Sequence, residues 1–203
     1  AAAANHGWAF RADKLQHSPY IPLPGRHPNR LAGIDKKQRH EIRRKLRKIG
    51  QSELPVRWYT VQDAATLDGE IDAFIKLMCN DPAKVAFLTP AMEEHIRLTA
   101  HCAFERDCLN LSFLEIDGQK ASAYFSFDYL NRLWIYNSGI DWDNYSLYSP
   151  GWVLLANLLK WANENQREAF DFMRGNEDYK YRFGAIDRFV MRATLTPQGT
   201  PQP

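Results

Sequence analysis

The sequence predicts an α/β (α+β) domain: one mixed β-sheet, built as an antiparallel meander followed by a β-α-β unit, with helices on both faces. Three observations carry this reading. Strand-like runs at 109–116, 121–129 and 132–140 are separated only by residues 117–120, turning at Asp117-Gly118, and by Leu130-Asn131, short enough for hairpins. A long apolar helical pattern from Pro150 to Asn165 leads straight into the short alternating run Ala169 to Met173. Two further helical patterns, Ala64 to Cys79 and Pro90 to Arg106, precede the meander and can cover the sheet.

Taken in order, residues 1–33 read as an irregular lead-in, because Pro19, Pro22, Pro24, Gly25 and Pro28 interrupt any regular pattern. Residues 34–50 read as a basic helix, with Ile42, Leu46 and Ile49 forming a narrow apolar stripe and Gly50 ending it. Residues 51–196 form the folded domain. It opens with a strand from Val56 to Val61, rich in β-branched and aromatic residues, and runs through the elements above. A short helical turn then follows Gly175, and Arg188 to Leu195 is expected as a last strand of the sheet. Residues 197–203 read as a frayed tail.

At 203 residues with 45% hydrophobic content, the chain can bury one sizeable core. It has no apolar run of about 18 residues, which argues against a membrane span. The three cysteines, Cys79, Cys102 and Cys108, make no C-x-x-C pair, which suggests a reducing, cytoplasmic setting. His95 and His101 fall on different helix faces, so even with Cys102 nearby no metal is expected. The net charge of +2 conceals an asymmetry. Between Ile34 and Ile49 lie eight Lys/Arg and two acids, a local +6 against about −4 for everything else.

Two segments carry chemistry. Tyr148-Ser-Pro-Gly151 opens the apolar helix: Ser149 can cap it, Pro150 suits its first position, and Gly151 would let a ligand approach. The N–H groups of Gly151, Trp152 and Val153 would then face an anion at the positive helix end, although an ordinary capped core helix explains the same residues. Downstream, Phe170-Asp-Phe-Met-Arg-Gly175 breaks a strand, and Tyr179-Lys180 follows within about one helical turn. So many polar groups at the end of a buried strand suit a grip on an anionic or carbonyl-bearing ligand. The blander reading pairs Arg174 with Asp171 or Asp178.

The order of elements over about residues 55–196 resembles the GNAT acetyltransferase superfamily. Tyr148-Ser-Pro-Gly151, Phe170-Asp-Phe-Met-Arg-Gly175 and Tyr179-Lys180 resemble its branch named for cellulose-biosynthesis-associated CelD/BcsL proteins, related to FemAB-type aminoacyltransferases. So do Ser18-Pro-Tyr-Ile-Pro-Leu-Pro24 and the basic run Asp35 to Arg47. The resemblance implies an acyl-CoA co-substrate, acetyl-CoA above all, with its pyrophosphate at Gly151. The superfamily loop Gln/Arg-x-x-Gly-x-Gly/Ala is matched only at Gly151, with Tyr148 and Val153 at the outer positions. The end of the third meander strand, at Ser138 and Gly139, is expected to offer backbone groups to the acyl carbonyl.

Arg174, Tyr179 and Lys180 stand where the resembled fold closes its active cleft. Tyr179 is the candidate acid for the departing thiolate, since a phenol resembles a thiol in proton affinity. Asp141 is a weaker candidate base, while Asp171 is assigned to structure. Arg43, Arg44 and Arg47 are the candidates for attracting an anionic acceptor, although a solvated helix face is the default reading.

The expected function is N-acyl transfer to an amine of a small molecule, glycan or peptide. The alternatives are aminoacyl-tRNA as donor, the one nucleic acid in view, or a silent binding module. The branch usually carries a further N-terminal half, so such a half or a homo-oligomer is a candidate partner to complete the cleft.

Overall fold

The computed structural model describes residues 2–23 and 34–197. Pro24, Gly25 and Pro28 of the expected lead-in, and the tail after Pro197, lie outside the described residues. The elements are α1 (Ala2–Asn5), β1 (Trp8–His17), β2 (Tyr20–Pro22), α2 (Lys36–Gly50), β3 (Val56–Thr60), α3 (Leu67–Met78), α4 (Pro82–Phe87) and α5 (Pro90–Phe104). They continue with β4 (Leu109–Ile116), β5 (Gln119–Tyr129), β6 (Arg132–Ile140), α6 (Trp142–Tyr145), a 3₁₀ turn (Ser146–Tyr148), α7 (Pro150–Glu164), β7 (Ala169–Asp171), α8 (Asp178–Arg182) and β8 (Phe189–Pro197).

The main sheet is mixed, in the order β2-β7-β6-β5-β4-β3. The meander is antiparallel as expected, and β6 and β7 form its parallel pair through the α7 crossover. Asp117 with Gly118, and Leu130 with Asn131, all have positive φ, the backbone that tight two-residue hairpins require. Alternation sorts β4 between the faces. Leu111 and Phe113 join the core under α3 and α5, while Leu114 and Ile116 join the one under α7 and α2. The basic helix forms because Asp35 accepts from Lys37 N at 2.8 Å and caps it, and because Ile42 and Ile49 bury against the α7 layer.

Three expectations are corrected. The lead-in is not irregular throughout: β1 is a ten-residue strand, and β2 pairs with β7 at the sheet edge, where Pro22 breaks no ladder. The last strand, β8, does not join the main sheet but pairs with β1 in a separate two-stranded ribbon, and β2 takes the place beside β7. Finally, α4 was missed. Its start signal is present, with Asp81 accepting from Ala83 N and Pro82 at the first turn, but six residues are too few to show a period.

The feature that positions the site is a splay. Only Arg132 to Trp134 of β6 pair with β7. Beyond Trp134, β6 runs on to Ile140, while the other chain leaves the sheet after Asp171. Phe172 N donates to Pro19 O at 3.0 Å and Gly175 N to His17 O at 3.2 Å, so the returning lead-in holds that chain away. A V-shaped opening results at the carboxyl end of the parallel pair, where open α/β sheets bind ligands.

Candidate active site

The splay forms a cleft of about 340 Å³. Ser138, Gly139 and Ile140 of β6 make one wall, Gly151, Trp152 and Leu155 of α7 another, and Tyr179 and Glu177 a third; Tyr124, Asp81 and Lys84 also line it. Gly139 is a packing requirement. A Cβ there would lie 2.6 Å from Leu77 Cβ and 2.8 Å from the backbone of Leu77 and Met78, so α3 approaches β6 this closely only over glycine. Gly151 is similar, because its Cβ would meet Ile140 Cδ1 at 2.4 Å.

The start of α7 differs from the expected cap. Ser149 takes a left-handed backbone, φ 51° and ψ 55°, and its side chain caps nothing. Its carbonyl accepts from both Trp152 N (3.0 Å) and Val153 N (3.1 Å), which are therefore not free for an anion. Its hydroxyl accepts instead from Lys45 Nζ at 2.7 Å, and that ammonium also lies 5.0 Å above the Trp152 ring. The basic helix thus places a cation at the mouth of α7 through a residue absent from the sequence reading. Val153 is buried in the core and Tyr148 packs against the same cluster; neither faces the cleft.

Around the strand break, the structure separates the expected trio. Tyr179 lines the cleft, and burial, then the Glu177 charge, pushes its phenol pKa well up. Beside it, Tyr124 donates to Gly151 O at 3.4 Å, and its own pKa is raised by burial and by Tyr179. Lys180 is buried and turned away. Its ammonium donates to Arg174 O at 2.9 Å and to Phe172 O and Gly175 O at 3.4 Å, and pairs with Glu177 at 2.8 Å. It ties the broken strand together and has no proton left for a substrate. Arg174 is exposed and outside the cleft lining. The pairing of the blander reading is not formed either, because Arg188 takes Asp171 (2.6 Å) and Arg182 takes Asp178 (2.5 Å). Asp171, fully buried, also accepts from Met173 N at 2.9 Å and is the loop clamp expected of it.

The remaining candidates fall elsewhere. Asp141 caps α6, accepting from Asn144 N at 3.0 Å, and does not line the cleft. Arg44 is held by Glu41 through two hydrogen bonds of 2.8 and 2.9 Å. Arg44 and Arg47 line an open groove between α2 and α8 with Lys37, His40 and Arg182, while Arg43 is exposed outside it. Among the described residues no cluster of His, Cys, Asp or Glu could hold a metal, and no helix is long and apolar enough to cross a membrane.

Sequence reasoning missed Lys84. Its ammonium donates to Ser138 O and, at 3.2 Å, to Ser138 Oγ. Burial lowers its pKa, against the attraction of Asp81 and Glu177. Only the Asp81-Pro82 helix start could have pointed to it. Tyr124, mid-strand, carried no signal at all.

The chain resembles three solved structures at the level of fold. FemX superposes with a TM-score of 0.65 at 12% identity, over 96% of this chain and 65% of its own. A conserved protein of unknown function from Bacteroides thetaiotaomicron gives 0.63 at 12%, over 93% and 62%. L-PGS from Bacillus licheniformis gives 0.58 at 9%, over 98% and 64%. The chain therefore spans somewhat under two thirds of each of these structures. No curated protein matches it. The acetyltransferase (GNAT) domain family matches residues 36–181, from the first turn of the basic helix to the Tyr179-bearing turn; the chain belongs to that family.

Proposed function

We propose that the chain transfers an acyl group from an acyl-CoA, with acetyl-CoA the simplest case, to an amine bound at the mouth of the cleft. The observation that carries this reading is the splay itself. It opens a cleft beside the start of α7, lined by β6 on one side and Tyr179 on the other. The amine nitrogen attacks the thioester carbon, the C–S bond breaks with its electron pair on sulfur, and an amide and free CoA result. Two protons complete the balance: the attacking nitrogen loses one, and the thiolate gains one. Tyr179 is the donor to sulfur. The phenol gives its proton to sulfur as the C–S bond breaks and recovers one from the amine nitrogen, so the tyrosinate that burial disfavours does not accumulate. Lys45 of α2, bonded to Ser149 and above the Trp152 ring at the start of α7, is the cation we assign to the phosphates of CoA.

A second reading, aminoacyl-tRNA as donor, is favoured by one observation: the groove between α2 and α8. Of its basic residues, Arg44 and Arg182 are compensated by Glu41 and Asp178, which leaves Lys37 and Arg47 to add positive charge beside the cleft. Calorimetric titration of the protein with acetyl-CoA separates the two. Saturable 1:1 binding is expected. No heat with acetyl-CoA, together with salt-sensitive binding of aminoacyl-tRNA, would overturn the acyl-CoA reading.

A further inference from the structure

We propose that Lys84 is the electrophilic residue of the cleft, its ammonium holding the carbonyl oxygen of the donor's acyl group and stabilising the negative charge that gathers there during transfer. This rests on the acyl-CoA reading above and adds a residue to it. Acyl transfer needs a hydrogen-bond donor at the carbonyl oxygen, and in a splayed sheet the first place to seek one is the free strand backbone. At Ser138 that backbone is already engaged. Ser138 N donates to Asn137 Oδ1 at 2.8 Å, and Ser138 O accepts from Lys84. Beside Ser138 the donor we assign is the ammonium itself.

Three features suit Lys84 to the role. It is held in place: Asp81 caps its short helix, and Ser138 fixes two of its three N–H directions through O and Oγ. Its ammonium is in no direct ion pair: among the described residues no carboxylate bonds to it, Asp81 and Glu177 acting on it only at longer range, whereas Lys180, the other buried lysine here, holds Glu177 directly. A half-buried ammonium with no carboxylate bonded to it keeps an N–H direction for an oxygen that gathers negative charge. It is also well placed, lining the same cleft as Tyr179, so one pocket holds a donor for oxygen and a donor for sulfur. A carbonyl oxygen is a weak acceptor in the bound thioester and a strong one once the amine has added, so the contact strengthens as the barrier is climbed.

The test uses the full chain and three probes: CoA, acetyl-CoA and carboxymethyl-CoA, a thioether whose carboxylate stands near the acyl carbonyl position. By calorimetry the wild type should bind carboxymethyl-CoA at least about 10-fold more tightly than CoA, the scale of one charge-assisted hydrogen bond. Lys84→Met should erase that preference while CoA affinity stays within about 2-fold, and Lys84→Arg should restore part of it. Lys84→Gln, which keeps a hydrogen bond to Ser138 without the charge, guards against a folding artefact and should also lose the preference. A preference retained in Lys84→Gln overturns the proposal and leaves acyl-CoA binding standing. Equal loss of CoA and carboxymethyl-CoA binding in a folded variant also overturns it, since Lys84 would then only shape the cleft. A wild type that binds none of the three probes removes the acyl-CoA reading itself.

Discussion

Lys45 Nζ lies 2.7 Å from Ser149 Oγ, so the most basic element of the chain clamps the residue at which α7 begins. The two are 104 residues apart in sequence. The contact turns α2 from a charged appendage into part of the cleft's rim. Replacing Lys45 by Met should weaken CoA binding several-fold at low salt, a gap that narrows near 0.5 M salt as screening removes the charge's advantage. Arg43→Met, on the outward face of the same helix, should leave CoA affinity unchanged. Equal effects of the two substitutions in titrations at both salt concentrations would show that the helix acts only through its overall charge.

Tyr179→Phe removes one proton from the cleft and little else. Turnover should fall by roughly 10²-fold, with acetyl-CoA affinity and melting temperature nearly unchanged. Steady-state kinetics beside a thermal melt decide the matter. A small loss of stability with full turnover would mean that the phenol merely packs against Phe172, whose ring centre is 6.0 Å away.

Lys180→Met should behave in the opposite way. It leaves the carbonyls around Arg174 without their donor and Glu177 without its cation, at a cost of about 2 kcal/mol. Chemical denaturation should show the loss. Cleft binding should fall only as far as the strand break loosens, and a catalytic role would instead appear as lost turnover in a fully stable protein.

Gly151→Ala forces Ile140 Cδ1 to move, because the new Cβ would sit 2.4 Å from it. The far end of an isoleucine can shift, so the cost should be about 1–2 kcal/mol rather than unfolding. Trimming the obstruction with Ile140→Val should recover much of it. A double-mutant cycle measured by denaturation tests this, and additive losses would mean that the two residues do not meet.

Glu41 carries a pH signature. The hydrogen bond from Arg44, aided by the Arg44 and Lys45 charges and opposed by desolvation, lowers its pKa from 4.5 to about 2. The sign follows from a depressed acid. Its stabilisation is present above pH 4.5 and is lost as pH falls toward 2. The pair is largely solvated, so the effect should be about 0.5 kcal/mol. Glu41→Gln should flatten the stability profile between pH 5 and 2 by that amount, and an unchanged profile would assign no net contribution to the pair.

What the sequence by itself determined is local. The meander was legible because its alternation and its two tight turns act within a few residues, and Asp117-Gly118 needs no distant partner to turn a chain. The length and apolar character of α7 and the apolar stripe of α2 were legible for the same reason. Of the site, Ser138, Gly139, Gly151, Trp152 and Tyr179 do line the cleft, because they sit at the ends of elements that the pattern had located.

What only the tertiary structure decided depends on which groups lose their water and to whom they turn. Lys180 and Lys84 look alike as charged residues on short helical turns. Packing buries the first on backbone carbonyls and a carboxylate, and leaves the second in the cleft on Ser138, with no carboxylate bonded to it. The pairing of β1 with β8 joins segments more than 170 residues apart, and Arg188 reaches Asp171 only because the returning chain brings it there. Local patterning sets what each segment can become. The choice among a lysine's possible partners is made by distant elements whose approach no short stretch of sequence encodes.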